Sequence, residues 1–208
     1  MEVCLMLPRS PELQNKLSLY KTLLLKWSKA INLVSPSTLQ DIDSRHFEDS
    51  LQIEPLLPSG AKVLFDFGSG AGFPALVLAM AREDLEVHVF ESDQKKCAFM
   101  GSVSRETFIP VIIHNERVEH VDIQKLPKPD VVTARALSSL KSLLDMAQRW
   151  WESNEDLLLI FPKGEKSEAE ILEAREFFSF DLEEFPSSTD SRSKILRIRH
   201  VQTIEKTN

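Results

Sequence analysis

Cysteine is scarce in this sequence, which has two cysteines among 208 residues. Cys4 and Cys97 lie far apart, which is typical of a reducing compartment and predicts no disulfide framework. The five histidines are scattered without the paired spacing that puts two ligands on one metal, so we expect no metal site. The apolar start, Met1 to Leu7, is too short for a membrane span and lacks the basic flank and long core of a secretory signal. We therefore expect a cytoplasmic protein that does not associate with membranes.

Positive charge is also in short supply, with 25 Lys and Arg against 32 Asp and Glu and a formal net charge of −7. This balance argues against loose, non-specific binding to nucleic acid, where Lys and Arg neutralise phosphates, but it allows a local basic patch. Hydrophobic residues at 42% and charged residues at 27% are ordinary for a folded domain. The length suits one buried domain with a small extension, and we expect a monomer.

Two helices are predicted in the first part of the chain. Apolar residues recur every three or four positions from Pro11 to Ile31, which marks one stripe of an amphipathic helix. A second helix is predicted after Ser35-Pro36-Ser37, because a serine cap followed by proline suits a helix start. Residues 1–57 are therefore expected to form a helical extension.

From residue 58 to residue 208, short apolar runs alternate with amphipathic stretches, which is typical of βαβ units in a parallel sheet. Strands are predicted near 62–67, 86–91, 109–114, 130–134, 156–161, 179–185 and 194–200, and helices near 74–82, 93–106, 138–151 and 166–178. No helical pattern separates the last two strands, so they should form an antiparallel hairpin, with Ser187 to Ser193 as a mobile polar loop. The prediction is an α/β, Rossmann-like domain with a mostly parallel seven-stranded sheet.

A glycine loop follows the first predicted strand. Gly68, Gly70 and Gly72 let the backbone approach a ligand, and the crevice of an open parallel sheet lies at this carboxyl edge. Nicotinamide and flavin enzymes carry G-x-G-x-x-G, whereas the spacing here is G-x-G-x-G. Asp66, two residues before the first glycine, would repel a diphosphate but attract the ammonium group of a methionine moiety, directly or through water. The loop therefore favours S-adenosylmethionine and a class I methyltransferase fold.

Glu91 ends the next strand, where nucleotide-binding enzymes place a carboxylate that accepts hydrogen bonds from ribose hydroxyls. The alternative is that Asp66 caps a turn and Glu91 is a solvated strand end. Taken together, the loop and the two carboxylates favour cofactor binding.

The residues at the end of the fourth predicted strand limit the classes of methyl acceptor. Amino-group methyltransferases acting on bases carry an Asn/Asp-Pro-Pro-aromatic turn there, whereas Val131 to Leu137 reads Val-Val-Thr-Ala-Arg-Ala-Leu. Methylation of C5 of a pyrimidine needs a thiolate, and neither cysteine is placed for it. N7 of guanine has a free lone pair and no proton to lose, so it needs only in-line positioning. Arg135, a long cation expected in the cleft, is an improbable core residue.

Blocks along nearly the whole chain resemble the small-subunit ribosomal RNA methyltransferase G family. They are Trp27 to Leu33, Arg45 to Leu51, Asp66 to Pro74, Glu91-Ser92 with Lys95-Lys96, Glu116 to Glu119, Thr133 to Ala136, and Lys163-Gly164. The most specific are Arg-His-x-x-Asp-Ser-Leu, Gly-Ala-Gly-Phe-Pro and Arg-Val-Glu in this order. Ser28 stands where the family usually has Asn, and Glu91 where it usually has Asp.

The resemblance implies that a bacterial enzyme methylates N7 of one guanine in the 530 loop of 16S ribosomal RNA, with the RNA or the small ribosomal subunit as partner. It implies that Gly68 and Phe73 line the methionine and ribose part of the cofactor and that Val118 and Glu119 frame the adenine. It places Arg135 beside the methyl group and the substrate, where Arg135 would contact the cofactor and position the reactants without a general base. The candidate RNA contacts are Arg45, His46, Lys163, Arg197 and Arg199.

Several alternatives stay open. Arg45 and His46 are equally explained by local hydrogen bonds to Asp49, and Lys95-Lys96 by a solvated helix face. Phe73 either stacks on the ligand or fills the core, and Trp150-Trp151 is predicted to be packing. The functional alternatives are a methyltransferase for another RNA or a small molecule, and a non-catalytic module that binds the cofactor.

Overall fold

A computed structural model describes residues 9–204 of the chain, so the apolar start and Cys4 lie outside the described residues. The described strands are β1 (Val63–Phe67), β2 (Glu86–Phe90), β3 (Ile112–His114), β4 (Val131–Ala134), β5 (Leu158–Lys163), β6 (Phe178–Pro186) and β7 (Lys194–Thr203). The α-helices are α1 (Pro11–Trp27), α2 (Asp49–Leu51), α3 (Ala75–Ala81), α4 (Gln94–Thr107), α5 (Leu140–Trp151) and α6 (Ser167–Arg175). Within 9–204, no helix is both long and apolar enough to cross a membrane.

The strands form one sheet in the order β3-β2-β1-β4-β5-β7-β6. Strands β1 to β5 pair in parallel, and β7 runs antiparallel to both β5 and β6. The predicted α/β fold, with its mostly parallel sheet and antiparallel hairpin, is confirmed. The strand order reverses between β1 and β4, and the carboxyl ends of strands at such a switch point form the usual ligand crevice.

Hydrophobic side chains cover both faces of the sheet, as a parallel sheet requires. One cluster joins Leu64, Leu76 and Phe99 to Tyr20 and Leu24 of α1, so the extension shares a core with the sheet. The cluster on the opposite face includes Phe65, Phe161 and the helix α5. Trp150 and Trp151 are buried in this second cluster, which confirms that they are packing residues.

The N-terminal helices differ from their predicted bounds. Helix α1 ends at Trp27 rather than Ile31, and the Ser10 hydroxyl caps its start by accepting from the Leu13 N–H at 3.1 Å. The second helical stretch begins at Leu39, after Ser35-Pro36-Ser37 as predicted, and ahead of it the Thr38 N–H bonds to the Ser35 carbonyl and closes a turn. It then continues as a π-helix, residues 43–48, that runs into α2. The predicted serine cap was wrong, because Ser35 closes this turn and does not cap the helix.

The connection between β6 and β7, predicted to be a mobile loop, is tied to the extension. The Ser188 N–H donates to the Gln52 side-chain oxygen at 2.8 Å, and the Thr189 hydroxyl donates to an Asp49 carboxylate oxygen at 2.9 Å. These bonds fix the loop beside the crevice. The sequence pattern missed them because both partners lie more than a hundred residues away in the chain.

Tyr20→Phe is expected to lower the free energy of unfolding by about 1–2 kcal/mol, because a buried carbonyl loses its donor. The Tyr20 hydroxyl donates to the carbonyl of Ala71, inside the glycine loop. Urea unfolding followed by tryptophan fluorescence measures the change. Ser18→Ala removes an exposed hydroxyl from the same helix and should stay within about 0.5 kcal/mol of wild type. Equal stability of Tyr20→Phe and wild type would contradict the prediction.

Candidate active site

The glycine loop curls tightly after β1. Gly68 and Gly72 have φ values of 63° and 91°, in the left-handed region that L side chains avoid. A Cβ atom at Gly68 would lie 2.5 Å from the Leu137 side chain, and one at Gly72 would lie 2.8 Å from the Tyr20 hydroxyl oxygen. The positive φ strains any L side chain at either position, and at Gly72 a side chain would also clash with Tyr20 and Leu76, so the loop presents bare backbone to the crevice.

Two adjoining cavities of 710 and 290 Å³ open at the carboxyl ends of the strands. They share the wall formed by Gly68, Gly70, Lys96, Ala136 and Leu137. Together they make an elongated crevice that crosses the glycine loop, with a narrow end near β2 and a wide end near the extension.

Glu91 lies at the narrow end and is 8% exposed. One carboxylate oxygen accepts from the Gly70 N–H at 2.9 Å and the other from the Asp93 N–H at 2.8 Å. A carboxylate oxygen can accept two hydrogen bonds, so each retains capacity for a hydroxyl donor. Glu91 therefore holds the glycine loop against β2 while its carboxylate remains at the cavity wall.

Asp66 lies behind the glycine loop rather than on the cavity wall. Its side chain is fully buried, and one carboxylate oxygen accepts from the Thr133 hydroxyl at 2.6 Å. The other oxygen has no hydrogen-bond partner among the described residues. Burial raises the pKa of Asp66 to about 7, well above the usual value for Asp. A buried carboxylate oxygen without a donor is costly, so this atom is a ready acceptor for a cationic ligand.

Val118 and Glu119 form the far wall of the narrow cavity, within a short 3₁₀ helix that spans Val118–His120. Arg149 of α5 stabilises this helix, because its guanidinium donates to the carbonyls of Val118 at 2.6 Å and Val121 at 3.1 Å. Sequence reasoning missed Arg149. Its contribution is visible only once α5 is packed beside this segment.

Arg135 follows β4 and lies in the wide cavity, where the extension holds it. One terminal nitrogen donates to Asp49 at 2.9 Å and to the Arg45 carbonyl at 3.3 Å, and the other donates to Nδ1 of His46 at 3.1 Å. The guanidinium carbon lies 5.0 Å from the centre of the Phe73 ring, a cation–π distance. Arg135 is therefore oriented by four contacts before any substrate arrives.

Phe73 is a buried core residue that also contacts the Arg135 guanidinium. It is 3% exposed, and its ring stacks on that of Tyr20, with ring centres 5.1 Å apart, and on that of His46, with ring centres 4.9 Å apart. The ring fills the core, as one of the two readings left open for Phe73 expected, and it lies at a cation–π distance from Arg135; stacking on the ligand stays a prediction.

His46 is neutral in this setting. Burial, followed by the charge of Arg135, lowers the pKa of His46 to about 4. Since arginine can only donate, Nδ1 must be the acceptor, and Nε2–H therefore donates to the Thr38 hydroxyl at 2.9 Å. His46 then acts as a polar support for Arg135, and at neutral pH it carries no charge for a phosphate.

The predicted RNA contacts divide into two groups. Arg45 and Lys163 lie on the wall of the wide cavity, but Lys163 is 8% exposed and its ammonium group pairs with Glu170 at 2.8 Å. Arg197 and Arg199 lie on β7, outside both cavities, where they bond to Glu183 and the Asp156 carbonyl. Arg45 is 43% exposed at its side chain and has one long ion pair, 3.3 Å, with Asp190. The structure therefore brings together Arg45, His46, Lys163 and Arg135 but not the two β7 arginines.

Asp49 is the main site residue that sequence reasoning missed. It was named only as a local partner for Arg45 and His46, although it lies inside the Arg-His-x-x-Asp-Ser-Leu block. In the structure, it contacts Arg135 instead. Within residues 9–204, no three His, Cys, Asp or Glu side chains are grouped closely enough to hold a metal ion.

The sequence matches a family profile described as rRNA small subunit methyltransferase G over residues 13–198. This chain belongs to that family. Among its relatives, "Ribosomal RNA small subunit methyltransferase G" of Rhodospirillum centenum is 44% identical over 192 residues, which cover 92% of this chain and 86% of the relative. The protein of the same name from Brucella suis is 40% identical over 196 residues, covering 93% of this chain and 90% of the relative. The recognition made from the sequence blocks is confirmed.

Solved structures of low identity show the same fold. An O-methyltransferase from Bacillus cereus, in complex with SAH, aligns with a TM-score of 0.59 at 13% identity and covers 94% of this chain and 93% of its own. An rRNA methylase from Streptococcus thermophilus aligns with a TM-score of 0.52 at 13% identity and covers 74% of this chain and 94% of its own. In this member of the methyltransferase G family, the sequence blocks that carry the recognition surround the crevice.

Proposed function

We propose that this chain transfers a methyl group from S-adenosylmethionine to N7 of one guanine in the 530 loop of 16S ribosomal RNA. The observation that best supports the proposal is one crevice with two different ends. The narrow end offers Glu91, Val118 and Glu119 to a nucleoside, and the wide end offers an oriented cation, Arg135, to an anionic substrate. Family membership supports methyl transfer to ribosomal RNA of the small subunit.

The residues present fit S-adenosylmethionine. The backbone of the glycine loop lies open at Gly70, where an added Cβ would meet no atom closer than 3.9 Å. Glu91 would accept hydrogen bonds from the ribose hydroxyls, and the Asp66 carboxylate, buried behind the glycine loop, would offset the ammonium charge across the loop. When bound, the cofactor supplies a methyl group activated by the positive charge of its sulfonium.

The protein's task toward the RNA is positioning. A guanidinium can bind a phosphate or a base edge with two parallel hydrogen bonds, which fixes direction as well as distance. Arg135 would hold the guanine so that the N7 lone pair points along the axis of transfer. N7 loses no proton, so no base is needed. His46, which lies on the wall of the wide cavity, has both ring nitrogens engaged already.

The proposal extends to organisation and partners. The proposed division is a helical extension over residues 1–57 and a methyltransferase domain over residues 58–208, and the described part of the extension, from residue 9 on, lines the wide end of the crevice. The protein acts as a monomer in the cytoplasm on the small subunit or its RNA. Arg45, partly exposed at the rim, is the best placed of the proposed RNA contacts, while Lys163, Arg197 and Arg199 stay predictions.

Transfer of labelled methyl to small ribosomal subunits and to naked ribosomal RNA, both lacking the modification, tests this function. We expect the label to map by strand cleavage at N7-methylguanine to a single guanine of the 530 loop. Label on another RNA site or a small molecule would support a different acceptor. Cofactor binding without any transfer would support a non-catalytic module and overturn the proposal.

A further inference from the structure

The carboxylate of Asp49 joins three separate parts of the chain. One oxygen accepts from Arg135, after β4, at 2.9 Å. The other accepts from the Thr189 hydroxyl in the β6–β7 loop at 2.9 Å and from the Gln52 side-chain amide of the extension at 2.9 Å. The side chains of Asp49 and Arg135 are 19% and 17% exposed. No other carboxylate contacts Arg135 among the described residues.

We propose that Asp49 is a positioning residue, which fixes the guanidinium of Arg135 for the substrate and is itself held by Thr189 of the β6–β7 loop. This proposal rests on the proposed function, because Arg135 is taken to orient the ribosomal RNA. Asp49 touches neither the methyl donor nor the acceptor in this scheme and acts through Arg135.

The contacts of the Arg135 guanidinium fix its orientation. Arginine presents a planar fork, so two contacts on different terminal nitrogens fix its plane. Asp49 holds one nitrogen and His46 the other, while the centre of the Phe73 ring lies 5.0 Å from the guanidinium carbon. Among the partners of the first nitrogen, Asp49 is the charged and closer one, and the Arg45 carbonyl lies at 3.3 Å. Without the Asp49 charge, this nitrogen keeps only the longer bond to the Arg45 carbonyl, so the plane of the guanidinium is held less firmly.

Two further observations favour positioning over other roles for Asp49. Its Thr189-facing oxygen already accepts two hydrogen bonds, which leaves that atom little capacity to act as a base. Its ion pair with Arg135 is mostly buried, so the two charged groups are held in one geometry away from bulk water. Both observations therefore indicate that the role of Asp49 is to order the side chain of Arg135.

The first experiment compares Asp49→Asn with Asp43→Asn, a matched control in the same extension whose carboxylate pairs with Lys21 on the outer surface. We expect Asp49→Asn to lower kcat for methyl transfer to small subunits by about tenfold, with cofactor affinity unchanged, because misplacement of a positioning group acts on the chemical step. Asp43→Asn should match wild type. In an Arg135→Ala background, Asp49→Asn should cause no further loss, whereas the same tenfold loss in both backgrounds would overturn the proposal.

A second variant, Thr189→Val, tests the same role in case Asp49→Asn does not fold. Thr189→Val keeps the side-chain shape but removes the hydroxyl that donates to Asp49. It should lower kcat in the same direction and by a smaller factor, again only when Arg135 is present. A loss of equal size without Arg135 would contradict the role of the loop.

A measurement without RNA separates this proposal from the proposed function. Rotation about the guanidinium bonds of Arg135 is followed by ¹⁵N NMR, with its signal assigned by its loss in Arg135→Lys. We expect slow rotation in the wild type and fast rotation in Asp49→Asn but not in Asp43→Asn. Equal rotation in all three proteins would overturn the positioning role. If wild type labels no RNA while the rotation result holds, the proposed function fails and the structural role of Asp49 stands.

Discussion

Replacing Arg135 by alanine is expected to lower methyl transfer to ribosomal RNA by about 100- to 1,000-fold, the usual loss when a pre-oriented charged donor is removed from a reaction site. The guanidinium is held by Asp49, His46 and Phe73 at the wide end of the crevice, away from the narrow end that carries Glu91. Cofactor affinity should therefore change by less than about threefold, since the loss concerns the transfer step. Single-turnover transfer to small subunits and calorimetric cofactor binding measure the two quantities.

Two controls make the Arg135 prediction specific. Arg135→Lys keeps the charge but loses the planar fork, so it should recover only part of the lost rate. Arg82→Ala removes an arginine that pairs with Asp84 on the surface, and it should leave transfer unchanged. If Arg135→Ala weakens cofactor binding as strongly as transfer, Arg135 belongs to the cofactor site and the proposed division of the crevice is wrong.

The part of the site that is local in sequence could be predicted from the sequence. Asp66 and the three glycines follow one another along a strand and a turn, so their spacing alone indicated where the backbone would open. Glu91 could be placed by the same reasoning, because it ends the neighbouring strand. The regular alternation of strands and helices was sufficient for the sheet and its final hairpin.

The wide end could not be predicted in this way, because its contacts join distant segments. Asp49 and Arg135 are 86 residues apart, and Asp49 and Thr189 are 140 residues apart. No local periodicity encodes such pairs. The burial of Lys163 was hidden for the same reason, since its partner Glu170 lies on a helix whose packing depends on the whole sheet.

Replacing Asp66 by asparagine is expected to weaken S-adenosylmethionine binding by about tenfold at pH 8, because the negative charge that attracts the ammonium group is lost. Asparagine keeps a carbonyl oxygen that can accept from Thr133, so the local packing is preserved. Isothermal calorimetry measures the affinity. Asp93→Asn, an exposed helix cap near the same crevice, should bind the cofactor as wild type does.

The pH dependence of cofactor affinity tests the role of the Asp66 charge directly. Burial raises the pKa of Asp66 to about 7, so the carboxyl group is largely neutral below that pH and cannot pair with an ammonium ion. Wild-type affinity for the cofactor should therefore rise between pH 6 and pH 8 more steeply than that of Asp66→Asn. The titration of the cofactor itself affects both proteins equally. A parallel pH profile in the two proteins would contradict a role for the Asp66 charge.

The free energy of unfolding should change in the opposite direction from cofactor affinity, which excludes misfolding of Asp66→Asn as the cause of weaker binding. A folded-state pKa raised above the unfolded value means that the buried Asp66 destabilises the ligand-free fold progressively as pH rises from about 4 through 7, and by a constant amount above. Asp66→Asn should thus be at least as stable as wild type at pH 8 without ligand, although it binds the cofactor less tightly. A charge that costs stability in the free protein and contributes affinity in the complex is the signature of a binding residue.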